Sequence, residues 1–187
     1  VDALKAEMLT YPVLHADETP VAMLDPGAGK THRAYLWSYS IGAFEPVKAV
    51  VYDFAESRAG KHAREFLDDW RGTLVCDDYS GYKALIADGV TEAGCMAHAR
   101  RKFFDLHANN QSQIAGLALT YIQKLYQIER EVAERDPDER RRIRQEQAQP
   151  ILDELHDWLT RHRLQVPNGS STAKAIDCKP PAKSSVN

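Results

Sequence analysis

The sequence predicts an α/β protein: a mixed sheet flanked by helices, with a long helical region after it. Three observations carry that reading. Apolar, β-favouring runs separated by turn residues open the chain. The hydrophobic period then changes from two to that of an amphipathic helix. Beyond Ala97 only the helical period remains.

The first three strands are predicted between about Tyr11 and Phe54. Tyr11–Ala16 is the first, the aromatic run Ala34–Ile41 the second, and Val47–Asp53 the third. Between the first two lies Asp25-Pro26-Gly27-Ala28-Gly29-Lys30, which is turn chemistry, so the opening reads as an antiparallel meander. Ala63, Phe66, Leu67 and Trp70 then fall at helical spacing and mark a helix over about Arg58–Trp70, stopped by Arg71-Gly72. A strand over Leu74–Cys76, a short helix around Lys83–Ala87 and a short strand around Glu92–Met96 complete the sheet. Ile114, Leu117, Ala118, Tyr121, Ile122, Leu125 and Ile128 make one long apolar stripe. Asp136-Pro137 caps a further helix that runs to about Arg163 with a kink at Pro150. From Pro167 the composition shifts to Pro, Ser, Lys and Gly, and residues 165–187 read as a disordered or divergent tail.

Composition excludes several classes. No run of eighteen apolar residues exists, so no membrane-spanning helix is expected. The chain opens Val1-Asp2-Ala3, without methionine or a signal-peptide pattern, and looks like a piece of a longer protein. Cys76, Cys95 and Cys178 are odd in number and widely spaced, which fits a reducing cytoplasm and neither a disulfide framework nor a structural zinc site. A net charge of −3 argues against coating nucleic acid through bulk charge, but leaves room for a local basic face.

The strongest chemical signal is a pair of acids. Val13-Leu14-His15-Ala16 runs into Asp17, and Thr73-Leu74-Val75-Cys76 runs into Asp77, sixty residues later. A carboxylate at the end of a buried strand is rigidly held where a hard divalent cation can be gripped. Two such strand ends suit metal-dependent phosphodiester chemistry. Glu18 and Asp78 add a second acid beside each and would repel it without a cation or solvent between. The second signal is Cys95-Met96-Ala97-His98-Ala99-Arg100-Arg101-Lys102-Phe103-Phe104. Three cations there would grip phosphate while the two aromatics anchor the helix. Cys95 and His98 make at most half a metal site. Gly27-Ala28-Gly29-Lys30-Thr31 lacks the first glycine of a phosphate-binding loop, since Leu24 stands there, and reads as a hairpin loop carrying a lysine. The dense basic turn Arg140-Arg141-Arg142 reads as solvent-facing, neutralised by nearby acids.

Four motifs, in order, carry a resemblance: Leu14-His15-Ala16-Asp17-Glu18-Thr19-Pro20, Tyr35-Leu36-Trp37, Cys76-Asp77-Asp78-Tyr79-Ser80-Gly81-Tyr82 and Cys95 to Phe103. Over residues 10–177 the chain resembles bacterial insertion-sequence transposases of the IS 66 family. That resemblance implies a ribonuclease-H-like core with an Asp, Asp, Glu triad holding two Mg2+ (or Mn2+) ions. Asp17 and Asp77 correspond to the two aspartates and Asp78 to a neighbour. It implies DNA as partner (transposon ends and target), contacted by His98, Arg100, Arg101 and Lys102, and a homo-oligomer with intact transposase. It divides the chain into a core over 10–110 and a helical insertion over 111–164.

The family's third carboxylate belongs to an Asn-Asn-x-x-Glu segment absent here, and Cys178–Asn187 reads as unrelated sequence. The expectation is a transposase fragment that lacks catalytic activity. The alternatives are a non-catalytic module binding DNA or transposase, and a ribonuclease-H-like metal-dependent nuclease.

Overall fold

The computed structural model describes residues 2–42 and 44–178, and the chain divides into two compact units between Ala93 and Gly94. The first holds α1 (Asp2–Met8), β1 (Val13–Asp25), β2 (Lys30–Ile41), β3 (Val50–Ala55), α2 (Lys61–Leu67), β4 (Thr73–Cys76), α3 (Lys83–Ala87) and β5 (Thr91–Gly94). The strand order is β3-β2-β1-β4-β5. β1, β2 and β3 make an antiparallel meander, and β4 runs parallel to β1. This is the predicted mixed sheet with helices.

Period-two alternation decides which side chains enter the core. Leu14 and Ala16 of β1, Trp37, Tyr39 and Ile41 of β2, and Leu74 and Cys76 of β4 are buried. They pack against Met8 of α1, Ala63, Phe66 and Leu67 of α2, and Leu85 of α3. Tyr39 stacks on Phe66 with ring centroids 3.7 Å apart.

β1 departs from expectation by running nine residues beyond Ala16, through Pro20. β2 supplies the reason, pairing with it continuously from Leu14↔Ile41 to Asp25↔Lys30. The recorded pairing with β4 ends at His15↔Val75. Past that point the second side of β1 is an edge, where a residue without an N–H costs little. The Gly27 and Gly29 loop is the hairpin turn expected, with φ of 90° and 63°, in the left-handed region that glycine adopts without strain.

The second unit contains α4 (Met96–Asn110), α5 (Gln113–Val132), α6 (Pro137–Ile143), α7 (Gln149–Arg163) and α8 (Ser171–Asp177). α4 packs against α5. Ser112 caps α5, and the predicted stripe is buried through Ala118, Ile122, Leu125 and Ile128. Leu117 instead lies half exposed. Asp136 caps α6 by accepting from the Glu139 amide at 2.9 Å, with Pro137 in the first turn. The irregularity foreseen at Pro150 is a π-helical turn over Arg144–Ala148, immediately before α7. Arg144 from that turn grips Glu129 of α5 through two bonds of 2.8 and 2.6 Å.

Within the segment 165–187, read as a disordered or divergent tail, Ser171–Asp177 forms a helix. Ser170 caps α8 by accepting from the Ala173 amide at 3.1 Å, and α8 buries Ala173, Ala175 and Ile176. Ala175 and Ile176 join the cluster of Phe103, Ile122, Leu155 and Leu159. Burial against a preformed helical core outweighs the poor local pattern. The remainder of the predicted tail lies outside the described residues. No helix among those described is long and apolar enough to cross a membrane.

Candidate functional site

Asp17 is not at a strand end. It lies inside β1, on an exposed position opposite Ser38, whose hydroxyl donates to the Asp17 carbonyl at 3.3 Å. Asp77 follows β4 directly, as expected. The parallel register relates the two. Its last recorded pair is His15↔Val75. One residue further, Ala16 and Cys76 are both buried. One more step reaches Asp17, inside β1, and Asp77, just past the end of β4, so the two stand at one level of the register. Both acids offer hard oxygen donors, the type that Mg2+ and Mn2+ take, and the Asp77 side chain keeps 26% of its surface open. Two carboxylates fit one edge of such a centre. Among the described residues no set of three His, Cys, Asp or Glu side chains converges to hold an ion.

Beside this pair stands a network the sequence reading missed. Alternation turns Glu18 inward with Leu14 and Ala16, and it is the buried charged residue among those described. Its carboxylate accepts from the Arg58 guanidinium, Nε at 2.8 Å and Nη2 on the same Oε1, and from the Tyr82 hydroxyl at 2.8 Å on Oε2. Burial pushes the Glu18 carboxyl above the ordinary range, and the bonds from Arg58 and Tyr82 oppose that rise. Burial works against the Arg58 charge too, but the bond to Glu18 and the negative charges of Glu18 and Asp77 together outweigh it and raise its pKa. The signal that could have found this network is a carboxylate at an inward position of a period-two strand, which demands a partner.

Arg58 reaches further. Its Nη2 lies 3.9 Å from Asp77 Oδ2, and its guanidinium sits over the Tyr79 ring at 3.9 Å. Tyr79 donates its hydroxyl to the Arg58 carbonyl and its amide to Asp77 Oδ1, the latter at 3.0 Å. The segment carrying Arg58 is thus pinned on the turn that follows β4. Gly60 lets the two backbones meet, since a Cβ there would collide with the Gly81 carbonyl. Asp78 is engaged elsewhere, 2.9 Å from Lys83 Nζ, which also holds Glu92 at 3.1 Å.

The basic run lies on α4 of the second unit. His98 is half-buried, whereas Arg100, Arg101 and Lys102 are exposed. Phe103 anchors the helix, but Phe104 does not; it lies half exposed with the Arg100 guanidinium over it at 5.8 Å. Arg100, Arg101, Phe104 and Tyr126 help to line an open cleft of about 590 Å³. Such a surface offers cations and an aromatic face to solvent.

Fold and site together define an α/β protein with an acidic pair at one level of a mixed sheet and a basic helix in a separate unit. The comparisons agree on its family. The model described as "Transposase IS66 family" matches residues 1–185, wider at both ends than the resemblance over 10–177 and including most of the stretch after Asp177. The chain belongs to the IS66 transposase family. Similar proteins from Sinorhizobium fredii include the uncharacterized proteins y4qI, 36% identical over 86% of this chain, y4jD, 32% identical over 94%, and y4hP, 30% identical over 94%. These alignments take in 32%, 36% and 35% of the respective relatives, so the chain spans about a third of their length. No solved structure matches.

Proposed function

We propose that this chain supplies the Asp17–Asp77 half of the metal centre of a DNA transposase, on a ribonuclease-H-like sheet. The observation that carries the reading is the parallel register of β1 and β4, in which Asp17 and Asp77 each stand two residues beyond the pair His15↔Val75. The order β3-β2-β1-β4-β5, an antiparallel meander followed by a parallel strand, supports the fold assignment. Divalent ions bound there would supply charge stabilisation for phosphodiester cleavage and strand transfer. Asp17 and Asp77 would hold them through carboxylate oxygens. Arg100, Arg101 and Lys102, with His98 beside them, would track the DNA backbone as sequence-independent contacts. In the whole transposase the substrates would be transposon ends and target DNA, and the working form an oligomer.

A third carboxylate does not join the pair among the described residues. The chain by itself is therefore expected to bind metal and DNA without completing strand transfer. Titration with Mn2+, followed by the loss of the free-ion paramagnetic resonance signal, tests this. Wild type should bind, and Asp17→Ala and Asp77→Ala should each abolish binding. DNA binding without any metal binding would instead favour a non-catalytic module, and metal-dependent cleavage without joining a simple nuclease.

A further inference from the structure

We propose that Glu18 is a positioning residue that holds the Arg58 cation away from Asp77 and so keeps the Asp77 carboxylate open to a divalent metal. The inference rests on the metal-centre reading above and deepens it.

Arg58 stands between two acids. It gives Nε and Nη2 to one oxygen of Glu18, yet the same Nη2 is only 3.9 Å from Asp77 Oδ2. The contact with Glu18 is a bonded ion pair; that with Asp77 is longer than a hydrogen bond. Which acid takes the guanidinium is set by geometry. The Glu18 side chain is 1% exposed, and burial strengthens its hold on a cation because little solvent screens the pair. Tyr82 fixes the second Glu18 oxygen, so the carboxylate cannot turn from Arg58. The Tyr79 ring limits the guanidinium from one side.

Removing the Glu18 charge changes the balance. With Gln at this position Arg58 becomes a cation whose nearest anion is Asp77, a small movement away, and it competes with the metal for the same oxygens. A merely structural role for Glu18 predicts something different, namely that a second deletion in the network adds to the damage of the first.

The test compares Mn2+ affinity of the 187-residue chain with its Glu18→Gln, Arg58→Met and Glu18→Gln/Arg58→Met variants, with thermal unfolding of each measured alongside. Glu18→Gln should weaken Mn2+ binding about tenfold, the size expected for one competing charge in a partly exposed site. The double variant should return to within about threefold of wild type, because the competitor has gone. Glu18→Gln binding as tightly as wild type, or a double variant no better than Glu18→Gln, overturns the proposal. Should Glu18→Gln fail to fold, the double variant against Arg58→Met decides: equal affinities support the hold-back role, and a further loss refutes it. Failure of the metal-centre reading looks different. Wild type would then bind no Mn2+, or Asp17→Ala and Asp77→Ala would bind it unchanged, and the inference falls with it.

Discussion

At the scale of single residues, burial decides which groups can react. The Cys76 thiol is buried, and burial, with Glu92 and Asp77 adding negative charge nearby, pushes its pKa up to about 12. Cys95 is half-buried at the start of α4. Iodoacetamide at pH 8 should therefore modify Cys95 and leave Cys76 untouched in the native protein, with peptide mass mapping as the readout. Both should react once the chain is unfolded. Tyr82 gives a second residue-scale prediction. Its hydroxyl serves one oxygen of a buried carboxylate, so Tyr82→Phe leaves that oxygen unsatisfied. A loss of about 1–3 kcal/mol is expected in urea unfolding.

At the scale of elements, capping and register explain what the sequence made legible. Asp136-Pro137 was readable as a helix start because cap chemistry is local, spanning three residues. The α5 stripe was readable because twenty residues repeat one period. Glu18 and Arg58 were not, since their bond spans forty residues and depends on how β1 and the segment after β3 meet. The position of Asp17 was misjudged for a similar reason: β1 continues because β2 pairs with it, and that pairing lies outside any local window. α8 escaped notice because seven residues of modest propensity carry almost no periodic signal. Its stability comes from Ala175 and Ile176 in the helical core, and from one cap. Ser170→Ala should cost about 1 kcal/mol and raise amide exchange selectively in Ser171–Asp177.

For the whole molecule, charge is the governing quantity. A net charge of −3 means that any DNA affinity must come from a localised surface, and the exposed cations of α4 are the surface proposed for it. Replacing Arg100, Arg101 and Lys102 together by Ala should weaken binding to duplexes of unrelated sequence by similar factors. It should also flatten the slope of log affinity against log salt by up to about three, as roughly 0.9 is lost per phosphate contact. Fluorescence anisotropy over a salt series would show both. A loss confined to one sequence would mean that these residues read bases instead.

The long β1–β2 hairpin has a mechanical consequence. Near Leu14 the ribbon is clamped, with β4 recorded on one side and β3 reaching from Tyr35 to Ser40 on the other. From Val21 to Asp25 and from Lys30 to Ala34 the recorded ladder is a pair of strands alone. Two-stranded ribbons open far more easily than sheet interiors. Stiffness therefore falls along β1, and Asp17 lies on the supported stretch, with β3 still behind its partner Ser38, before the compliant arm begins at Val21.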